Sequence, residues 1–245
     1  MQQQSHRSRS WPPRIQVAGV STLKEALFCK SVGIDAVGFT LVLPEGLHDG
    51  LTPEKAGEII CKLPAGLISV VITYEDHADA ACRLVTMTQA VAMQFHGGIS
   101  EEELLLFRRI YPDVKTIGRV NVVGEKSLEE AALFRPPIWD ALILDSLDPF
   151  TGRKGATGRT HDWSISERIA RTASVPVILA GGLNPNNVAE AIRTVRPYGV
   201  DAHTGLENSD GTRNFDKIRA FAQAALEALL ERDPRLLQSA SASPS

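Results

Sequence analysis

Three stretches of this chain bring chemically useful residues to the ends of short apolar runs. Leu142-Ile143-Leu144 leads directly into Asp145 and Ser146. A carboxyl group there is costly to bury unless it has work to do or a partner to neutralise it. Proton transfer is one reading, and a helix cap or structural ion pair is the other. The second and third stretches are Ala180-Gly181-Gly182-Leu183-Asn184-Pro185 and Asp201-Ala202-His203-Thr204-Gly205. Glycines let backbone approach an anion, a helix expected to start at Asn184-Pro185 offers unpaired N–H groups, and Thr204 adds a hydroxyl. Each glycine segment alone is also an ordinary turn, but two at successive run ends point to a phosphate site.

Gln94-Phe95-His96-Gly97 ends a fourth run. His96 reads as a catalytic acid or base, or as a ring that orients a loop. His48, His161 and His203 also fall near run ends, without HxH or HExxH spacing, so no metal and no cofactor are expected. Residues 151–160 are glycine-rich and carry Arg153, Lys154 and Arg159. That length reads as a mobile loop covering an anionic substrate, and the GxxxxGK[ST] spacing of a nucleotide-binding loop is absent.

The elements that must position these groups alternate strictly. Short β-branched runs at 14–18, 36–41, 67–74, 90–95, 114–120, 140–145, 175–180 and 199–203 read as strands apolar on both faces. Between them, 23–32, 53–63, 77–86, 101–110, 127–134, 163–172, 185–195 and 215–232 carry helical patterns. Ser21-Thr22, Thr52-Pro53, Ser100 and Asn184-Pro185 supply start signals for four of these. Eight of each in alternation predicts one parallel (β/α)8 barrel over 14–232, with disordered tails at 1–13 and 233–245. In such a barrel, function sits on the loops after the strands, and phosphate often lies after strands seven and eight.

The 245 residues suit one barrel, and 43% hydrophobic, 22% charged and net charge −3 describe an ordinary globular α/β protein. No basic patch suggests nucleic acid, no run is long enough to span a membrane, and the start has no signal-peptide core. Cys29, Cys61 and Cys82 fall on helical patterns without CxxC and read as buried reduced thiols, which fits the cytoplasm. A monomer or homodimer is expected.

Taken together, the motifs resemble the phosphoribosylanthranilate isomerase family of tryptophan biosynthesis, over roughly residues 14–229. The resemblance rests on Gln94-Phe-His-Gly97, Leu142-Ile-Leu-Asp-Ser146, Gly155-Ala-Thr-Gly158 with Asp162-Trp163, the Ala180 to Ala191 segment, and Arg196-Pro-Tyr-Gly-Val-Asp201. It implies a β/α barrel that performs an Amadori rearrangement, turning a phosphoribosyl amine into its 1-amino-1-deoxyketose. Asp145 then matches the general acid that opens the furanose ring. Gly181, Gly182, Thr204 and Gly205 match phosphate-binding positions, and Gln94 and His96 join the substrate-binding set. The substrate class implied is a small phosphorylated sugar-amine.

Two positions depart from the family. Its first strand ends Lys-Ile-Cys-Gly-Ile-Thr, the cysteine being the base, whereas this chain has Gln16-Val17-Ala18-Gly19-Val20-Ser21. Its Ser-Pro-Arg after strand two, whose arginine holds the anthranilate carboxylate, is replaced by Pro44-Glu-Gly-Leu-His-Asp-Gly-Leu-Thr52. The preferred reading is an isomerase whose base has moved to His48 or Asp49, acting on anthranilate or another amine. An inactive phosphosugar-binding barrel is the second. A different sugar-phosphate isomerase or lyase using Asp145 alone is the third.

Overall fold

The computed structural model describes residues 11–41, 50–146 and 160–233. Eight parallel strands close in sequence order, with β8 pairing back onto β1. They are β1 Ile15–Val17, β2 Ala36–Thr40, β3 Ile68–Thr73, β4 Ala92–Phe95, β5 Lys115–Val122, β6 Ala141–Ser146, β7 Val177–Leu179 and β8 Gly199–Ala202. The helices are α1 Leu23–Ser31, α2 Pro53–Ile60, α3 Ala78–Thr88, α4 Glu101–Ile110, α5 Lys126–Ala131, α6 Trp163–Thr172, α7 Val188–Val195 and α8 Phe215–Arg232. A short 3-10 turn, Thr204–Leu206, follows β8. The expected (β/α)8 barrel is therefore the observed one.

Local sequence explains most helix starts. Thr22 accepts from the Glu25 N–H while Glu25 reaches back, a full capping box. Thr52, followed by Pro53, accepts from the Lys55 N–H at the start of α2, and Ser100 accepts from the Glu103 N–H at the start of α4. Asn184-Pro185 does not start α7: the helix begins at Val188, after a turn in which Asn187 Oδ1 accepts from the Asn184 N–H. Asparagine side chains here bond the turn, not the first helical N–H groups.

Strand side chains alternate between two cores. Val17, Phe39, Val71, Met93, Val120, Leu142, Leu144, Leu179 and Val200 face the helices. Ala18, Ala36, Val70, Ile72, Ala92, Ile117, Ala141, Ile143, Ile178 and Ala180 fill the barrel interior. Each large side chain in these layers contributes roughly 1.5–3 kcal/mol of burial.

Two further expectations change. Residues 11–13 were expected in the N-terminal tail, but Pro12 and Pro13 are buried and Trp11 packs against the interior cluster. Apolar surface on these residues outweighs the polar composition of the stretch before them. Of the three cysteines expected to be buried, Cys29 is, Cys82 is half-buried and Cys61 is exposed. Cys61 caps α2 on the side away from the sheet, where its sulfur donates to the Glu58 carbonyl.

Candidate active site

A cavity of about 860 Å³ opens at the C-terminal ends of the strands. Its floor is the point where inward-facing strand positions turn from apolar to polar. Gln16, Gln94, Asp145 and Asp201 are all buried there above the Ile/Val/Ala layer.

The two glutamines cross the barrel. Gln16 Nε2 donates to Gln94 Oε1 at 2.9 Å, and Gln94 Nε2 lies 2.7 Å from His96 Nε2. Arg119, inward-facing on β5, donates to the His96 carbonyl at 2.7 Å and sits 5.9 Å from the Tyr74 ring centre. Burial, then the Arg119 and His203 charges, hold the His96 pKa well below its ordinary value. The ring is thus a neutral member of a hydrogen-bonded chain on the cavity wall.

β6 carries two carboxyls with opposite surroundings. Asp140, just before the strand, takes Arg108 at 2.8 Å, Lys115 at 3.1 Å and the Thr116 N–H at 3.0 Å. Burial raises its pKa, but these donors outweigh burial and hold it below the ordinary carboxylate value. Asp145, at the cavity end, accepts among the described residues only from the Ser146 N–H at 2.8 Å. Burial pushes its pKa up, offset in part by that N–H and by the Arg119 and His203 charges. Asp140 is a structural ion-pair carboxylate; Asp145 is a buried carboxyl with no ion-pair partner within bonding distance among the described residues.

Asp201, which the sequence reading quoted only as part of a motif, faces the same floor. Burial, then the Asp145 charge, push its pKa up to about 7, against the Gln16 amide, Arg213 and the Ala202 N–H.

The loops after β7 and β8 form the opposite wall. Gly181 and Gly182 have φ of +81° and +67°, and a Cβ on Gly181 would lie 2.2 Å from Ser146 Oγ. Glycine is required at 181 on both counts. The amides of Asn184 and Asn187 both donate to the Gly182 carbonyl, at 3.3 and 3.0 Å, which stiffens the loop. Gly181, Gly182 and Thr204 line the cavity. Gly205 sits where a Cβ would meet the Leu183 carbonyl at 2.0 Å, so it lets the two loops close on each other. Ser146 Oγ is also 3.0 Å from His161 Nδ1, whose Nε2 is 2.6 Å from Ser166 Oγ. Burial lowers the His161 pKa to about 4.

Besides Arg119, a second cation went unnoticed in the sequence. The buried guanidinium of Arg213 donates to the carbonyls of Ala18, Gly19 and His203 and lies 3.5 Å from Glu207. His203 Nε2 is 3.3 Å from the same Glu207. An arginine in a polar stretch before a helix carries no local signal of such a role; only closure of β8 onto β1 creates it. Ala18 lines the cavity beside this clamp. His48 and Asp49 lie outside the described residues, as do Arg153, Lys154 and Arg159; Gly50 is on the cavity wall.

Comparisons with known proteins match the chain and its fold to one family. The sequence model of the family described as N-(5'phosphoribosyl)anthranilate (PRA) isomerase matches residues 25–224. N-(5'-phosphoribosyl)anthranilate isomerase 2 of Methanosarcina mazei is 36% identical over 212 residues, covering 86% of this chain and 93% of that protein. The crystal structure of the isomerase from Thermotoga maritima superposes with a TM-score of 0.74 at 31% identity, covering 87% of this chain and 98% of that one. A further isomerase structure, solved with reduced 1-(o-carboxyphenylamino)-1-deoxyribulose 5-phosphate, has a TM-score of 0.72 at 29% identity, covering 87% and 98%.

Proposed function

This chain belongs to the N-(5'-phosphoribosyl)anthranilate isomerase family, and we propose that its cavity carries out that family's aldose–ketose rearrangement on a small phosphorylated sugar-amine. The observation that carries the reading is Asp145. It is a carboxyl 6% exposed on the cavity floor, kept protonated more readily than usual by burial, across from two loops built for an anion.

The roles follow from placement. The substrate phosphate sits against Gly181, Gly182 and Thr204, where positive φ and missing side chains bring backbone close to the ligand. Gly205 acts from behind, letting the Leu183 carbonyl approach. Asp145 protonates the ring oxygen, so the furanose opens to an iminium. A base then takes the C2 proton, and the enolamine tautomerises to the ketose; each such proton transfer is worth about 10²–10⁴-fold. Gln94 and His96 orient the sugar hydroxyls from the wall. His48 and Asp49, the positions to which the sequence reading moves the base, lie outside the described residues. The three cysteines are free, in keeping with work in the cytoplasm.

The deciding experiment is turnover of phosphoribosylanthranilate by purified protein, followed as loss of substrate fluorescence. Binding of the reduced product analogue without any turnover would instead favour an inactive phosphosugar-binding barrel, the reading that Ala18 supports.

A further inference from the structure

We propose that Asp201 is the base that removes the C2 proton, working with Asp145 as a carboxyl pair across the cavity floor. The assignment rests on the isomerase reading and supplies the group that reading lacks.

The placement comes from strand geometry. Val200 and Ala202 pack outward, so Asp201 between them points into the barrel. It is level with Gln16 on β1, two residues before inward-facing Ala18. The Ala18 N–H donates to the Ala202 carbonyl at 3.0 Å, so the two strands run side by side at this height. Ala18 has no atom beyond Cβ, and Asp201, one inward-facing position below it on the adjoining strand, is a carboxyl that lines the cavity. Asp201 Oδ1 is buried with no hydrogen-bond partner among the described residues. A dry acceptor without a donor is expensive to keep, and it is what a base needs before substrate arrives.

Other acceptors on the wall are committed. His96 Nε2 is taken by Gln94, and Glu207 is held between His203 and Arg213. The charged and polar groups facing Asp201 are Asp145 from β6, Gln16 from β1 and Arg213 from the segment before α8; those facing Asp145 are Arg119 from β5 and His203 after β8. Burial and mutual repulsion leave such a pair holding one proton near neutral pH.

The steps balance within the substrate. Asp145 gives its proton to the ring oxygen as the C1–O bond breaks and the nitrogen lone pair forms C1=N. Asp201 takes the C2 proton, the C–H pair becomes C1=C2, and the C=N pair returns to nitrogen. Asp201 then delivers a proton to C1 while the enol O–H proton returns to Asp145, leaving C2 a ketone. C1 is reduced and C2 oxidised by the same electron pair.

The test compares wild type with Asp201→Asn on phosphoribosylanthranilate carrying hydrogen or deuterium at C2. The expected result is a kcat fall of ~10²–10⁴-fold with little change in KM and a larger deuterium effect. The melting temperature should hold or rise at pH 8, because the variant removes a buried ionising group. Adding Ala18→Cys to Asp201→Asn should return at least ~10-fold of the loss by placing a thiolate on the neighbouring strand. An active wild type whose Asp201→Asn variant keeps kcat within ~3-fold overturns the base assignment alone. A fall in kcat that tracks a lower melting temperature and ignores Ala18→Cys also overturns it. An inactive wild type overturns the isomerase reading and the base with it.

Discussion

Arg213 Nη2 donates to the Ala18 carbonyl at 2.7 Å although 195 residues separate the two in the chain. The same guanidinium takes the Gly19 and His203 carbonyls at 2.9 and 2.8 Å. One buried cation thus ties together the ends of β1 and β8, the seam where the sheet closes. Carbonyl oxygens that end strands would otherwise be left dry, and each unsatisfied one costs about 1–3 kcal/mol.

Arg213→Met keeps the aliphatic stem and removes every donor. We expect it to lower stability by on the order of 3 kcal/mol, and kcat/KM with it, because Ala18 and His203 both stand on the cavity wall. Urea denaturation and steady-state kinetics measure the two effects. Unchanged stability would show that water replaces the clamp.

The phosphate wall gives the second expectation. Inorganic phosphate or ribose 5-phosphate, at about 100 times its dissociation constant, should stabilise the fold by roughly 2.7 kcal/mol, or ~5–10 °C in Tm. Gly182→Asp places bulk and negative charge on that wall and should erase the rise. A full thermal shift in the variant would move the phosphate elsewhere.

Asp145→Asn keeps the shape of the side chain but has no labile proton to give. Its kcat on phosphoribosylanthranilate should fall by at least ~10²-fold while the protein stays folded. Near-normal kcat would remove Asp145 from the acid role.

Asp140 tests the opposite kind of carboxyl. Its folded pKa is held below the ordinary carboxylate value, so its stabilising contribution is present above the unfolded value and is lost as pH falls through the depressed one. Asp140→Asn should therefore cost on the order of 2 kcal/mol at pH 7, with the difference shrinking in acid. Stability measured from pH 7 downward gives the answer, and a constant difference would contradict the assigned ion pairs.

The eight strands and eight helices were legible because each carries its own period, and because Thr22, Thr52 and Ser100 announce helix starts in the residues themselves. Asp145 stood out as a carboxyl on an apolar run, and Gly181 as a glycine before a turn. What stayed hidden depends on closure. Gln16 meets Asp201 only because β1 and β8, at opposite ends of the barrel sequence, become neighbours in register. Arg213 bonds three carbonyls that no local pattern brings together. Trp11 looked like tail because its flanks are polar, yet the interior column needed an apolar stopper. The relation of His48 and Asp49 to the site lies outside the described residues.

His161 has a practical consequence. Both its ring nitrogens lie within bonding distance of serines, Ser146 at the end of β6 and Ser166 in α6, and the ring stays uncharged at any pH above about 4. The His161 bridge between β6 and α6 is therefore uncharged in the range in which Asp201 titrates. In a rate-against-pH curve for this protein, a limb near pH 7 is expected from Asp201 and not from His161.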